Sequence, residues 1–271
     1  MRPISLMAKP ILYFDHPTYR QDELDEKKLL EKYLAFDLSR ACLIEEKVTV
    51  KKLRAKDISR AAKTYEAASV NDPITVYVRD TPDARNPKLT QKVEHLQYRL
   101  GLLQWTRKKI VLTVNHGQAV VCAPPAPNAN KRKETDKQIE RLIRLISSIL
   151  VRIGYSKEQR KRLDEIQTKI SSLVEESLGA DALSMRVINS LATNPDFQRR
   201  GYGGALVDEV TRRADKERRS SYLISSNTAN TEFYNSHGFF TLAETVVGDN
   251  NPSWKGAPIP MPLMVRIYGD Q

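Results

Sequence analysis

The sequence predicts a mixed α/β domain that carries a helical insertion. Three observations support this: short apolar runs at strand period, longer runs at helix period, and a glycine-rich loop that joins a strand to a helix. The chain has 271 residues, enough for a sizeable core and a prior of one to two domains. Hydrophobic residues make up 40% and charged residues 28%, a globular rather than disordered composition. The absence of any apolar run of about 18 residues excludes a membrane-spanning helix. The start, MRPISLMAKPILYFDHP, has a broken apolar stretch and no small-residue cleavage site, so it does not read as a signal peptide. Cys42 and Cys122 have no motif spacing and read as buried thiols of a reducing compartment. The expected location is the cytoplasm, with the nucleus left open. A net charge of +11 favours anionic ligands, from nucleotide phosphates to nucleic acid.

In chain order, residues 1–46 form an extension. Leu24, Leu30, Tyr33, Leu34 and Leu38 within it are at loosely helical spacing. In KVTVKKL, Val48 and Val50 alternate as in a half-buried strand. Asp57 is placed to cap a helix over DISRAAKTYEAAS, which Asn71-Asp72-Pro73 ends. A polar, proline-bearing loop covers Asp80 to Pro87. LTQKVEHLQYRLGLLQW then reads as a helix with Val93, Leu96, Leu100 and Leu103 on its buried face. RKKIVLTVNHGQAVVCAPP reads as a hairpin turning at His116-Gly117 and ended by Pro124-Pro125.

Residues 126–180 read as an inserted helical hairpin. Its first helix has a stripe of Ile139, Leu142, Ile143, Ile146, Ile149, Leu150 and Ile153, expected to pack into the core. Gly154 breaks the run, and Ser156 with Gln159 forms a capping box for the second helix, whose face is Leu163, Ile166, Ile170, Leu173 and Val174. Two strands are expected at the end, about 240–247 and 261–268, joined by an Asn-Pro-Ser-Trp-Lys-Gly loop. Trp254 in that loop suits either a packed loop or an acceptor pocket.

The chemistry concentrates in residues 183–206, ALSMRVINSLATNPDFQRRGYGGAL. An apolar strand leads through Asn194-Pro195-Asp196 into Gln198-Arg199-Arg200-Gly201-Tyr202-Gly203-Gly204, and a helix opens near Tyr202. The first amides of a helix have no intrahelical partner, and with the helix dipole they attract an anion. The glycines let a ligand approach the backbone closely. A Walker loop would need Gly-Lys-Ser/Thr, and a dinucleotide fingerprint would need a small residue where Leu206 stands.

What remains, Q-x-x-G-x-G after an apolar strand, resembles the pyrophosphate arm of the GNAT superfamily, the Gcn5-related N-acetyltransferases. SYLISSNTANTEFYNSHGFF over 221–240 resembles the family's second signature: strand Tyr222–Ser225, Asn227, a short helix to Tyr234, then Gly238-Phe239. The pattern looks most like fungal GNAT-domain proteins. The resemblance implies a GNAT fold: a mostly antiparallel central sheet with splayed central strands, flanked by helices, over residues 47–271. It also implies acetyl-CoA as co-substrate, held by the backbone of Leu191, Ala192 and Thr193. The diphosphate would lie on the amides of Arg199, Arg200, Gly201, Tyr202, Gly203 and Gly204, with Asn227 and Asn230 across the cleft. Tyr234 matches the acid that protonates the departing thiolate, and the insertion would cover the acceptor end. The implied reaction is acetyl transfer to an amine, a small molecule rather than a protein.

Many relatives place a carboxylate on the central strand. This strand offers Ser184, Asn189, Ser190 and Thr193 instead, so no general base is assigned. His16, His95, His116 and His237 show no metal-ligand spacing, and none is expected to hold a metal. The basic runs Lys131-Arg132-Lys133, Lys157/Arg160/Lys161/Arg162 and Arg212/Arg213/Lys216/Arg218/Arg219 lack interleaved aromatics. They read as solvated faces rather than a nucleic-acid surface. The competing classes are an acyl-CoA-binding protein without turnover and a basic nucleic-acid-binding protein. No membrane partner is expected, and a homodimer is left open.

Overall fold

A computed structural model describes residues 48–84, 86–129 and 134–269. The extension 1–46 with Cys42, and the run Lys131-Arg132-Lys133, lie outside the described residues. The opening elements are β1 (Lys51–Lys52), α1 (Ile58–Ser69), α2 (Pro73–Arg79), α3 (Pro87–Arg107), β2 (Val111–Val114) and β3 (Ala119–Cys122). The insertion supplies α4 (Glu134–Gly154) and α5 (Lys157–Leu178). Then come β4 (Arg186–Ile188), β5 (Ser190–Thr193), α6 (Tyr202–Lys216), β6 (Ser221–Ile224), α7 (Thr231–Asn235), β7 (Phe240–Val247) and β8 (Ile259–Arg266).

The strands form two ladders, β1-β2-β3-β5 and β4-β6-β8-β7. Every pairing is antiparallel except β4 with β6. The chain crosses from one ladder to the other at Asn189, whose amide bonds the Cys122 carbonyl at 2.9 Å. Up to Ile188 the strand pairs with β6, in register Ile188↔Leu223. From Ser190 it pairs with β3 instead. The sheet therefore splits between β5 and the end of β6.

The central strands of the first ladder, β2 and β3, are covered on both sides, which explains their continuous apolar runs. Leu112, Val114 and Val121 pack under α6 with Leu206, Val207 and Val210. Val111, Val120 and Ala192 face α1 and α3 through Ala61, Ala62, Tyr65 and Leu102. On the second ladder, α2 and α5 contribute Tyr77, Val78 and Ile166 against Val247, Ile259 and Met261.

The hairpin, the insertion helices and the Ser156/Gln159 capping box form where the pattern predicts. Four local expectations change. Asp57 makes no side-chain cap: a 3-10 turn over Ala55–Asp57 leads into α1, and the carboxylate faces Arg54 and His116 instead. The helix α2 is not announced by periodicity, because Ile74, Thr75, Val76 and Val78 are β-branched and poor helix formers. It is held by Asp72, whose Oδ1 accepts from the amides of Ile74 and Thr75, by Pro73 in the first turn, and by burial of Tyr77.

The helix α3 is rotated from its predicted face. Leu96 and Leu103 are exposed, while Val93, Glu94 and Leu102 are buried, with Tyr98 and Trp105 packed alongside. This rotation buries the larger aromatic surfaces and brings Glu94 onto Arg79. Finally, the α4 stripe is not core. Leu142, Ile146, Ile149 and Ile153 are exposed and only Leu150 of the stripe packs on a core cluster, because α4 contacts α3 through other positions: Glu140 pairs with Lys108, and Gly154 lies against Val93.

The inserted hairpin is tied to the rest by one buried cation. Arg162 on α5 is 0% exposed. Its guanidinium donates to the carbonyls of Tyr77 (2.5 Å) and Asp80 (2.8 Å), to Ser253 Oγ (3.1 Å) and to Glu158 (3.1 Å). It also stacks over the rings of Tyr77 and Trp254. Removing one partner of a buried charge network costs about 3–5 kcal/mol, whereas a part-exposed pair contributes about 1 kcal/mol or less. Arg162→Met should therefore lower the urea-unfolding free energy by that larger amount. Lys169→Ala, which breaks a more exposed contact to Asp249, should lower it far less. Equal midpoints for the two variants would contradict the strut role of Arg162.

Candidate active site

The first wall of the split is β5. In an antiparallel ladder, bonded and non-bonded pairs alternate. The Asn194 amide bonds the Gln118 carbonyl at 2.9 Å, so by register Ala192 turns its backbone groups toward Val120. Leu191 and Thr193 turn theirs away from β3, into the gap. Of the three strand residues expected to meet pantetheine, these two present free edges. The Thr193 carbonyl is met at 3.3 Å by Gln198 Nε2, which ties the loop back to the strand.

Beyond β5, Asn194 closes an Asx turn onto the Asp196 amide at 3.0 Å. Arg199 (φ 58°) and Gly201 (φ 73°) then take left-handed conformations. Gly201 is the N-cap of α6 and, lacking a side chain, leaves the first-turn amides of Tyr202, Gly203 and Gly204 without a side-chain cap. A Cβ on Gly203 would lie 3.5 Å from Phe233 and 3.7 Å from Thr193 Oγ1, ordinary contact. The helix start thus closes the end of the split, as a diphosphate cradle requires. The Arg200 side chain folds back over Phe197 and reaches the Asp196 carbonyl, so the loop presents amides more than guanidinium heads. Asn115 donates to the Tyr202 hydroxyl at 2.7 Å and steadies the first turn.

The second wall runs from β6 into α7. Asn227 Oδ1 accepts from the Ala229 amide at 2.9 Å, which leaves its side-chain amide hydrogens for other use. Asn230 is exposed and makes no side-chain cap to α7. Tyr234 is buried against Phe233 and Phe239, and among the described residues its hydroxyl has no hydrogen-bond partner. Burial pushes the phenol up to about 12, so it is protonated across the physiological range. His237 bonds Asp208 at 2.7 Å and packs on the ring of Phe233 beside Gly204, a structural position.

The other end of the split contains groups that the sequence pattern does not bring together. Tyr65 on α1 reaches Ser190 Oγ at 2.7 Å and stacks on Tyr98, whose hydroxyl lies 3.2 Å from Ser69 Oγ. Ser226, just past β6, donates to Asp72 Oδ2 at 2.5 Å. No spacing links these residues, because they come from four separate segments. Trp254 lies edge-on to Tyr77 with its indole N–H on the Ala257 carbonyl, so it belongs to a packed loop.

The basic runs do not form one surface. Arg162 is buried, Arg212 and Arg213 both pair with Glu209, and Arg219 bonds Asn128 and the Ser184 carbonyl. Among the described residues no cluster of His, Cys, Asp and Glu could hold a metal, and no helix is long and apolar enough to cross a membrane.

Residues 169–240 match the family model described as an acetyltransferase (GNAT) domain. That segment spans the split, the amide loop and Tyr234. The match is confined to that segment, about a quarter of the chain, and over it the chain resembles the GNAT acetyltransferases.

Solved structures similar in fold include the C-terminal condensation domain of Ebony in complex with beta-alanyl-dopamine. That likeness has a TM-score of 0.53 and 11% identity, over 81% of this chain and 98% of that one. Arylalkylamine N-acetyltransferase 2 from Aedes aegypti aligns at TM-score 0.48 and 16% identity, over 82% and 99%. PaiA N-acetyltransferase from Thermoplasma acidophilum, in complex with coenzyme A, aligns at TM-score 0.43 and 10% identity, over 82% and 99%. At these identities the likeness concerns the fold and not the substrate. No curated protein sequence matches the chain.

Two measurements test this geometry. Gly203→Val should leave urea stability nearly unchanged yet abolish the thermal shift given by acetyl-CoA, because its Cβ meets only ordinary contacts while the branched side chain crowds the cradle. Gly201→Ala should instead cost about 1–2 kcal/mol of stability, from its left-handed backbone. Titration of Tyr234 gives a second test. Its folded pKa of about 12 lies above the unfolded value near 10, so its contribution to stability is whole below pH 10 and is lost as pH rises toward 12. Urea unfolding from pH 9 to 11 should therefore show a shallower alkaline decline for Tyr234→Phe than for the parent chain.

Proposed function

We propose that this protein transfers the acetyl group of acetyl-CoA directly to an amine of a small molecule, and that residues 47–271 form the acyltransferase domain. The single observation that supports this best is the split between β5 and β6, closed at one end by the uncapped amides of the 199–204 loop. Acetyl-CoA supplies an activated thioester. The free backbone edges of Leu191 and Thr193 would hold the pantetheine arm, and the amides of Arg199 to Gly204 would hold the diphosphate. Asn227 and Asn230 would close on the cofactor from the opposite wall, while Ala192 supports the strand from its buried side.

Tyr234, kept neutral by burial, would donate its proton as the thiolate departs. A phenol near 12 and a thiol near 8.5 make that transfer unfavourable in the resting site by about 3.5 pK units. Formation of the thiolate beside it in the same apolar surroundings reduces the gap. A small acceptor is favoured over a protein because Arg162, Glu158 and Glu165 lock α5 onto α2 and the 248–253 loop, narrowing the acceptor side. The cytoplasm is the compartment that fits a chain whose described cysteine, Cys122, is a free buried thiol.

A second reading, acyl-CoA binding without turnover, is favoured by one observation: the strand that borders the thioester has Ser190 and Thr193 and no carboxylate. An amine panel monitored by release of free thiol separates the two. Acetyl transfer should appear with at least one small amine, and Tyr234→Phe should lower kcat by about 10²–10⁴ with acetyl-CoA affinity unchanged. Full turnover in Tyr234→Phe would remove the phenol from the mechanism. Tight acetyl-CoA binding with no thiol release from any amine would favour the binding protein.

A further inference from the structure

Asp72 is a carboxylate that the fold leaves uncompensated at the open end of the split. Several carboxylates on the same side of the domain are paired with a cation: Glu66 with His95, Glu94 with Arg79, Glu158 with Arg162, and Glu165 with Lys169. Asp72 has no basic side chain within ion-pair distance among the described residues. One of its oxygens is occupied by the first-turn amides of α2, and the other takes the Ser226 hydroxyl at 2.5 Å and keeps acceptor capacity.

Its position is defined by register. The last β4–β6 pair is Ile188↔Leu223, so Ser190 and Ser225 would face each other if pairing continued. The strands part there instead, and Ser226 is the next residue along. Asp72 therefore reaches one lip of the split, and the Tyr65–Ser190 contact marks the other. On that second lip Tyr65 stacks on Tyr98. The Asp72 amide bonds the Ser69 carbonyl at 3.1 Å, and Ser69 Oγ lies 3.2 Å from the Tyr98 hydroxyl, so one residue links the Asp72 backbone to the stack. A lone carboxylate beside an aromatic stack is a receptor for an organic ammonium. In a chain of net charge +11, a cation held there needs such a specific counter-charge.

We propose that Asp72 is the residue that binds the ammonium group of the acceptor, with Ser226 orienting the carboxylate and Tyr98, held from behind by the buried Tyr65, beside the substrate. The inference rests on the acetyl-transfer reading of the same site. It assigns the acceptor class as a small amine that enters as a cation with an apolar or aromatic body. Asp72 determines specificity, and it recognises the charged form before any chemistry occurs.

The test uses the full chain saturated with coenzyme A and the variant Asp72→Asn. Asparagine caps a helix about as well as aspartate and preserves shape, so α2 is retained. Calorimetric titration with tryptamine, cationic at neutral pH, should show a dissociation constant weaker by about 10–100-fold in the variant, the range expected for a lost charged hydrogen bond. Aniline, neutral at the same pH, should bind both proteins alike. Ser226→Ala should give a smaller loss in the same direction.

Equal tryptamine affinity in the parent and Asp72→Asn would overturn the proposal. So would failure of tryptamine and of spermidine to bind the coenzyme-A-saturated parent. Loss of coenzyme A binding itself would instead count against the underlying acetyl-transfer reading. A thermal shift with coenzyme A in Asp72→Asn equal to that of the parent keeps the two failures apart.

Discussion

At Asn189 one strand changes neighbours, and the rest of the molecule is arranged around that change. Before it the chain pairs with β6, and after it with β3 alone. Backbone groups inside a protein must find partners, and a strand edge left open in the middle of a sheet is costly unless something else meets it. Gln198 meets one carbonyl from the loop beyond. The Thr193 amide and the backbone groups of Leu191 stay turned into the gap. The opening is maintained because both ladders are fixed independently: the first between α6 and the α1–α3 layer, the second under α2 and α5. Neither can slide to close the gap without exposing its core.

The insertion has a role in this arrangement that its apolar pattern does not suggest. Its more conspicuous helix, α4, exposes much of its aliphatic stripe. The quieter helix, α5, places Arg162, Glu158 and Glu165 in a polar network with Tyr77, Asn251 and Ser253. Burial of the guanidinium is tolerated because its bonds and the two aromatic faces replace water. This network fixes α2, a helix with weak intrinsic propensity, and α2 in turn holds Asp72 at the split. A buried ion on an inserted element thus steadies the short helix that Asp72 caps.

Much of the donor half was legible in the sequence because its signals are local. The loop over 198–204, the helix beginning at Tyr202 and the strand–Asn–helix–Tyr order each occupy contiguous residues, and their geometry follows from glycine's freedom and from uncapped amides. The same holds for the hairpin and the Ser156/Gln159 box. The acceptor half was not legible. Tyr65 and Asp72 come from one stretch, but Ser190 and Ser226 are far from it in the chain, and no spacing links the three segments. The α3 face was misjudged because leucine periodicity competed with the larger burial available to Tyr98 and Trp105.

Sequence alone determined most of the element order and the glycine-rich turn that opens α6, since these depend on short-range backbone chemistry. Only the tertiary structure decided which serine meets Asp72, which arginine is buried, and which apolar stripe stays outside. Those outcomes depend on what each side chain meets across the fold: Asp72 meets a serine, Arg162 two carbonyls and two rings, and the exposed α4 aliphatics no core partner among the described residues.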